Sequence, residues 1–133
     1  MIGIDTNVLL RYALDDDTGQ SPRAETLLES QDRSAEPAFV NLVVLIEFVW
    51  TLTRQDGFRK ADVIAMLDAL LASRVIMLAD RSAVAAAVEA WRTGKAGFQD
   101  YLIGCLNQER GLRTTFTFDA VAAKHPSFSP MPA

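Results

Sequence analysis

Four acidic residues lie at predicted strand ends or near predicted helix starts, where their carboxylates could bind a cation or transfer a proton. They are Asp5, Glu47, Asp100 and Asp119. Asp5 and Asp119 directly follow short apolar runs that predict β-strands, and Asp100 falls in the first turn of a predicted helix. Ligands of open α/β sheets bind outside the carboxyl ends of the strands, which is where Asp5 and Asp119 are expected. Each acid taken alone is also typical of a turn former, a helix cap or a partner of the helix dipole.

Glu47 lies in the apolar stretch 43–50, so its carboxylate is expected to be partly buried and to need a partner. One alternative is a structural salt bridge, with Arg54 or Arg11 as the partner. Another is a solvent-facing stripe on an otherwise buried helix. Its place near the start of the helix after the second predicted strand puts it on the same edge as Asp5, which favours a functional role.

If these four carboxylates meet, they repel one another, and a bound divalent cation relieves the repulsion. The expected ligands are all oxygen, since neither the single histidine nor the single cysteine is adjacent to any of these acids in the sequence. Oxygen ligands favour a hard ion, so the pattern predicts Mg²⁺ or Mn²⁺ held by a few carboxylates and by water.

Strands and helices that alternate along the chain must position these acids. Apolar runs predict strands at 1–4, 37–40, 75–78 and 114–118. Helical spacing and capping residues predict helices at 7–14, 21–30, 42–55, 60–73, 83–92 and 98–110, with Asn41 capping the third and Ser21 with Pro22 opening the second. Residues 126–133 are expected to be a weak tail. The order predicts an α/β fold, a three-layer α/β/α sandwich around a mostly parallel sheet.

Composition limits the setting. The 133 residues are 50% hydrophobic and show no internal boundary, so residues 1–133 are expected to form one globular domain. Cys105 is the only cysteine, which excludes an intramolecular disulfide and favours a reducing cytoplasm. No apolar run is long enough to cross a membrane, and the N-terminus lacks the basic start of a signal peptide.

The net charge, 13 − 17 = −4, argues at first against a polyanionic partner. The net charge no longer argues against such a partner if four acids belong to a metal site, because the remaining thirteen acids then balance thirteen basic residues. Binding to a nucleic acid would then depend on the metal and on local basic residues. Arg11, Arg92 and Lys95 lie near the acids in the sequence and are candidates for contacts with a phosphate backbone.

Four segments together resemble the motif set of PIN-domain ribonucleases, and more narrowly the VapC-type toxins of bacterial toxin–antitoxin pairs. They are IDTNVLL (4–10), LIEFVW (45–50), GFQDYLI (97–103) and TFD (117–119), and the resemblance runs from residue 2 to about residue 125. It implies that the four acids line a metal pocket, with Asp5 and Asp100 holding Mg²⁺ or Mn²⁺. The resemblance gives supporting roles to Thr6, Asn7 and Thr117.

The same resemblance implies endonucleolytic cleavage of RNA that leaves a 5′-phosphate. It also implies a small, DNA-binding antitoxin as partner and a homodimer as the common assembly. The Leu-rich helices predicted at 21–30 and 60–73 are candidates for the antitoxin groove.

Other functions fit parts of the pattern. A receiver-like signalling module also gathers acids and Mg²⁺ at strand ends, but it needs a lysine after a late strand that this chain lacks at 117–119. A haloacid-dehalogenase-like phosphatase needs a second Asp where Asn7 stands. A protein-interaction domain without catalysis predicts no metal binding. The acidic run 15–17 is more typical of a solvated loop than of a second metal site.

Overall fold

Every strand of the protein pairs with a parallel partner. The computed structural model describes all residues, Met1–Ala133, and divides them into two compact units, Met1–Ala79 and Asp80–Ala133. The first unit contains a three-stranded sheet, and the second contains a two-stranded sheet. With six α-helices beside these parallel strands, the predicted α/β class is confirmed.

The first unit alternates its strands with four helices. Its strands are β1 (Ile2–Gly3), β2 (Ala38–Val40) and β3 (Ile76–Leu78). Its helices are α1 (Thr6–Leu14), α2 (Gln20–Ser34), α3 (Leu42–Arg54) and α4 (Lys60–Ala72). The central strand, β2, pairs Ala38 with Ile2 on one side and with Ile76 on the other.

Two helices of this unit begin almost where a strand ends, because a polar side chain caps each of them. The Asp5 carboxylate accepts a hydrogen bond from the Val8 N–H at 3.0 Å. The Asn41 side-chain oxygen accepts one from the Val44 N–H at 2.9 Å. Such caps satisfy N–H groups that the helix leaves without partners, so the two strand-to-helix turns are held tightly.

One face of α3 is almost completely buried. Leu45, Phe48, Val49 and Leu52 follow one another at helical spacing and are at most 1% exposed. Val43 and Trp50 lie on the opposite face and are 67% and 51% exposed. The chain is apolar around much of this helix, but only one of its faces is covered.

The second unit is built from two packed helices and a short parallel ribbon. Its elements are α5 (Arg81–Thr93), α6 (Phe98–Glu109), β4 (Thr115–Thr117), a 3₁₀ helix (Ala122–Lys124) and β5 (Phe128–Pro130). The rings of Trp91 and Phe98 meet at the junction of α5 and α6, with centroids 5.6 Å apart. Strand β4 pairs with β5 from Thr115 opposite Phe128 to Thr117 opposite Pro130.

The predictions for the second helix and for the C-terminal segment differ from the structure. The second helix begins at Gln20 and ends at Ser34, and Ser21 does not cap it. Ser21 is 1% exposed, and its hydroxyl donates to the Arg11 carbonyl oxygen at 2.8 Å. The Asp17 carboxylate instead accepts hydrogen bonds from the N–H groups of Gly19 and Gln20, so it satisfies the helix start.

The expected weak tail at 126–133 was also wrong, because residues 128–130 form β5. The prolines at 126, 130 and 132 mask the strand pattern in the sequence. Parallel pairing with β4 and burial of Phe128 hold the segment in place. None of the helices is long and apolar enough to span a membrane.

Candidate active site

Asp5 caps the start of α1 and Glu47 lies on α3. Thr6, which follows Asp5, connects the two segments. The Thr6 hydroxyl donates to the Glu47 carboxylate oxygen Oε1 at 3.1 Å. Asp5 directly precedes Thr6 and is exposed, with its Oδ1 atom engaged as the cap of α1. The predicted motifs around Asp5 and Glu47 are therefore in contact within the first unit.

Glu47 is exposed, so the prediction that it is partly buried was wrong. It points from the uncovered face of α3, the face that also presents Val43 and Trp50. It also forms no salt bridge: Arg11 pairs with Asp16 at 3.4 Å, and the Arg54 guanidinium lies 4.2 Å from the centre of the Trp50 ring. The structural salt bridge considered from the sequence is therefore absent.

Asp100 sits in the first turn of α6 and is partly exposed. Its Oδ2 atom accepts a hydrogen bond from the Gly97 N–H at 3.2 Å, so it caps the helix. A carboxylate is also favoured there by the helix dipole. This structural role uses one carboxylate oxygen.

Asp119 follows β4 directly and is exposed. Its Oδ1 atom accepts hydrogen bonds from the N–H groups of Val121 and Ala122, at 2.8 and 3.2 Å. Its own N–H donates to the Thr117 hydroxyl oxygen at 3.0 Å. Thr117, which was predicted to support Asp119, thus fixes the backbone of Asp119.

The four carboxylates share one electrostatic property: none forms a salt bridge with a basic side chain. In each of them the protein's own hydrogen bonds engage a single oxygen atom. The other oxygen is left for water or a cation. The structure contains no group of three or more His, Cys, Asp or Glu side chains arranged to hold a metal ion. Asp5 and Glu47 belong to the first unit, and Asp100 and Asp119 belong to the second.

The donors nevertheless suit a hard cation. They are carboxylate oxygens, accessible to solvent, and no arginine or lysine neutralises them. Mg²⁺ binds through one or two carboxylates and keeps several of its waters, so it does not need a closed cage of protein ligands.

Asn7 and Arg11 line a second feature of α1, a cavity of about 400 Å³ between α1 and α2. The side-chain oxygen of Gln20 accepts hydrogen bonds from Asn7 at 3.3 Å and from Arg11 at 2.7 Å. Gln20 was missed from the sequence, because nothing in its own surroundings marks a residue that joins two α1 side chains. Arg23 lines the same cavity and is exposed.

The remaining basic candidates differ in their surroundings. Arg92 donates to Glu89 at 2.9 Å, one helical turn earlier on α5. Lys95 is exposed in the loop before Asp100 and lines a cavity with Lys124 and His125. Lys124 and His125 were not among the predicted site residues, because their sequence neighbourhood resembles a surface turn.

Comparison with known proteins agrees with the motifs. A model of the PIN domain family matches residues 2–126, which is nearly the whole chain. No curated protein matches the chain closely. PIN domains are generally nucleases that need metal ions, and PIN nucleases act on RNA. The chain belongs to the PIN domain family.

Proposed function

We propose that this protein is an endoribonuclease that hydrolyses RNA phosphodiester bonds with Mg²⁺ or Mn²⁺. Its catalytic residues are Asp5, Glu47, Asp100 and Asp119. The observation that supports this most is the electrostatic state of these acids: all four are accessible to solvent, and none is neutralised by a basic side chain.

Asp5 and Asp100 are the ligands in this proposal. Each uses one oxygen to cap a helix, which fixes the orientation of the carboxylate and leaves the second oxygen for the ion. Held there, Mg²⁺ or Mn²⁺ would supply the polarisation of the phosphodiester and the lowered pKa of a bound water molecule. Glu47, held by Thr6, orients water and accepts a proton. Asp119 would hold further waters of the ion or a second ion. Thr117 fixes the backbone of Asp119, and Asn7 bonds to Gln20.

The experiment that tests this function is cleavage of purified RNA in Mg²⁺, Mn²⁺ or EDTA, followed by sequencing of the new ends. We expect internal cuts with 5′-phosphates in both metals and none in EDTA. Cleavage that persists in EDTA, or its absence in both metals, would contradict the proposal.

We further propose that the nuclease is the toxin of a type II toxin–antitoxin pair, acts in the cytoplasm and forms a homodimer. The partner is a small DNA-binding antitoxin. A cavity of about 320 Å³ between α1, α2 and α4 supports the predicted groove, with Tyr12, Met66 and Leu70 in its wall. Glu25 lines both this cavity and an adjacent one that also contains Glu29, so the surface suits a basic partner.

Co-expression with the product of a short reading frame next to the gene tests the partner. We expect a stable complex that no longer cleaves RNA. A neighbouring protein that neither binds nor inhibits would contradict the toxin assignment and leave the nuclease assignment intact. Light scattering tests the dimer, whose mass should be twice the 14.6 kDa of one chain.

A further inference from the structure

The second unit contains a basic cavity of about 390 Å³ whose wall includes chain neighbours of two candidate catalytic acids, Asp100 and Asp119. Lys95, Tyr101, Lys124 and His125 lie in its wall, together with Gly94 and Val121. Its volume lies in the range of small-molecule sites and is large enough for one nucleotide of a nucleic acid strand.

The charge of this cavity is opposite to that of the whole chain. The protein has three lysines, one histidine and a net charge of −4, yet two of the lysines and the histidine line this one cavity. No Asp or Glu lies in the cavity wall. A concave surface lined by one sign of charge concentrates ions of the other sign, so the cavity favours an anion.

Hydrogen bonds hold the wall of the cavity in a defined shape. The Tyr101 hydroxyl accepts from the Ala96 N–H at 3.1 Å, and the Tyr101 and His125 rings meet edge to face with centroids 5.4 Å apart. The His125 ring atom Nδ1 accepts from the Ser127 N–H at 3.2 Å. The proton of the neutral ring is then on Nε2, so His125 retains a donor. The two lysine ammonium groups add further donors, and all of them suit phosphate oxygens, which only accept.

The cavity also adjoins the segments that carry Asp100 and Asp119. Tyr101 directly follows Asp100, and Lys95 lies in the loop before it. Val121, on the other side of the wall, donates its N–H to the Asp119 carboxylate at 2.8 Å. Residues of the cavity wall thus lie within two positions of each acid in the chain, as expected if the cavity holds a phosphate next to the scissile one.

We propose that this cavity binds a phosphate group of the RNA strand, with Lys95 and Lys124 as its main donors and His125 as a third. These residues position the substrate and take no part in bond cleavage. The proposal rests on the proposed ribonuclease function, but binding can be measured separately from cleavage.

The test is the salt dependence of RNA binding in EDTA, where the RNA stays intact. The probe is a fluorescent 12-nucleotide single-stranded RNA, prepared with either a 5′-hydroxyl or a 5′-phosphate. The cavity variant is the double substitution Lys95→Gln and Lys124→Gln. The control, Arg33→Gln with Lys60→Gln, removes the same charge from the first unit. Circular dichroism confirms that both variants are folded, as expected for exposed side chains.

We expect the cavity variant to bind more weakly and its slope of log K against log salt to flatten by roughly 1, while the control keeps the wild-type slope. An effect with both RNAs identifies an internal phosphodiester, and an effect confined to the 5′-phosphorylated RNA identifies a terminal phosphate. A wild-type slope in the cavity variant, or equal flattening in the control, would overturn the proposal.

A cleavage assay in Mn²⁺ separates the two claims. A protein that shows the slope change but never cleaves RNA keeps the phosphate site and loses the nuclease function. A protein that cleaves RNA with an unchanged slope in the cavity variant keeps the nuclease function and loses the phosphate site.

Discussion

The Thr6 hydroxyl donates to the Glu47 carboxylate at 3.1 Å and links the start of α1 to the exposed face of α3. The two residues are 41 positions apart in the chain. The bond holds one Glu47 oxygen and leaves the other accessible. It therefore orients an acid that has no basic partner, through the residue that directly follows Asp5.

Replacing Thr6 with valine keeps its shape but removes the hydroxyl. We expect kcat/KM for RNA cleavage to fall roughly tenfold, because the loss of a hydrogen bond to a charged group costs about 1.5 kcal/mol. The fall should be mainly in kcat, since the hydroxyl orients Glu47 and does not bind RNA. Thr6→Ser retains the donor and should restore most of the activity. A serine variant as slow as the valine variant would show that the hydroxyl is not the cause.

The Asp17 carboxyl group predicts a dependence of stability on pH. Hydrogen bonds from the N–H groups of Gln20 and Gly19 lower its pKa below the usual aspartate value. The folded state thus favours the charged form, and its stabilising effect is complete above the unfolded pKa of about 3.9. The effect is lost as the pH falls through the lower, folded pKa.

Urea unfolding at pH 6 and pH 3 checks this sign. We expect Asp17→Asn to lose stability at pH 6 and to show a smaller difference between the two pH values than the wild type. Asp56→Asn is the control, because Asp56 is exposed and forms no such backbone hydrogen bonds. A wild-type pH difference in Asp17→Asn would contradict the prediction.

Gly104 is required by close packing of α6 against β5. A Cβ atom at this position would lie 2.7 Å from the Phe128 ring and 2.9 Å from the Ser127 Cβ atom. The Gly104→Ala variant should lose about 1–2 kcal/mol of unfolding free energy, since overpacking outweighs the gain in helix propensity. Gly3→Ala is the control, because its nearest neighbour would be 3.9 Å away. Equal stability of both variants in urea would rule out the packing argument.

Cys105 is 5% exposed, and burial raises the pKa of its thiol, with Glu109 acting in the same direction. We therefore expect the native protein to react with iodoacetamide at pH 8 far more slowly than the urea-unfolded chain, because the thiolate is the reactive form. Mass spectrometry of the alkylated fraction over time provides the measurement. Equal rates in the two states would show that the thiol is accessible in the native fold.

The sequence predicted the alternation of strands and helices because the local signals agree. Asp5 and Asn41 each follow an apolar run and cap the next helix, and both the capping and the strand pattern can be read over a few residues. The start of α2 was misassigned because Ser21 is held by distant partners. Its hydroxyl bonds to the Arg11 carbonyl, ten positions away, and no local pattern reports that contact.

The site was harder to predict than the fold. The identity of the four acids came from their motifs, but the exposure of Glu47 depends on which face of α3 is covered. Because α3 is apolar on both sides, its sequence does not show which face packs against the rest of the protein. The basic cavity also could not be predicted from local sequence, because Lys95 and Lys124 are 29 positions apart and come together only through folding.

The most direct test of the central claim is RNA cleavage by purified Asp5→Asn protein beside the wild type, in Mn²⁺ and in EDTA. Asparagine is as good a helix cap as aspartate, so the variant should fold and retain α1. We expect metal-dependent cleavage by the wild type and its loss in the variant, with an unchanged circular dichroism spectrum. Cleavage by folded Asp5→Asn protein at the wild-type rate would contradict it.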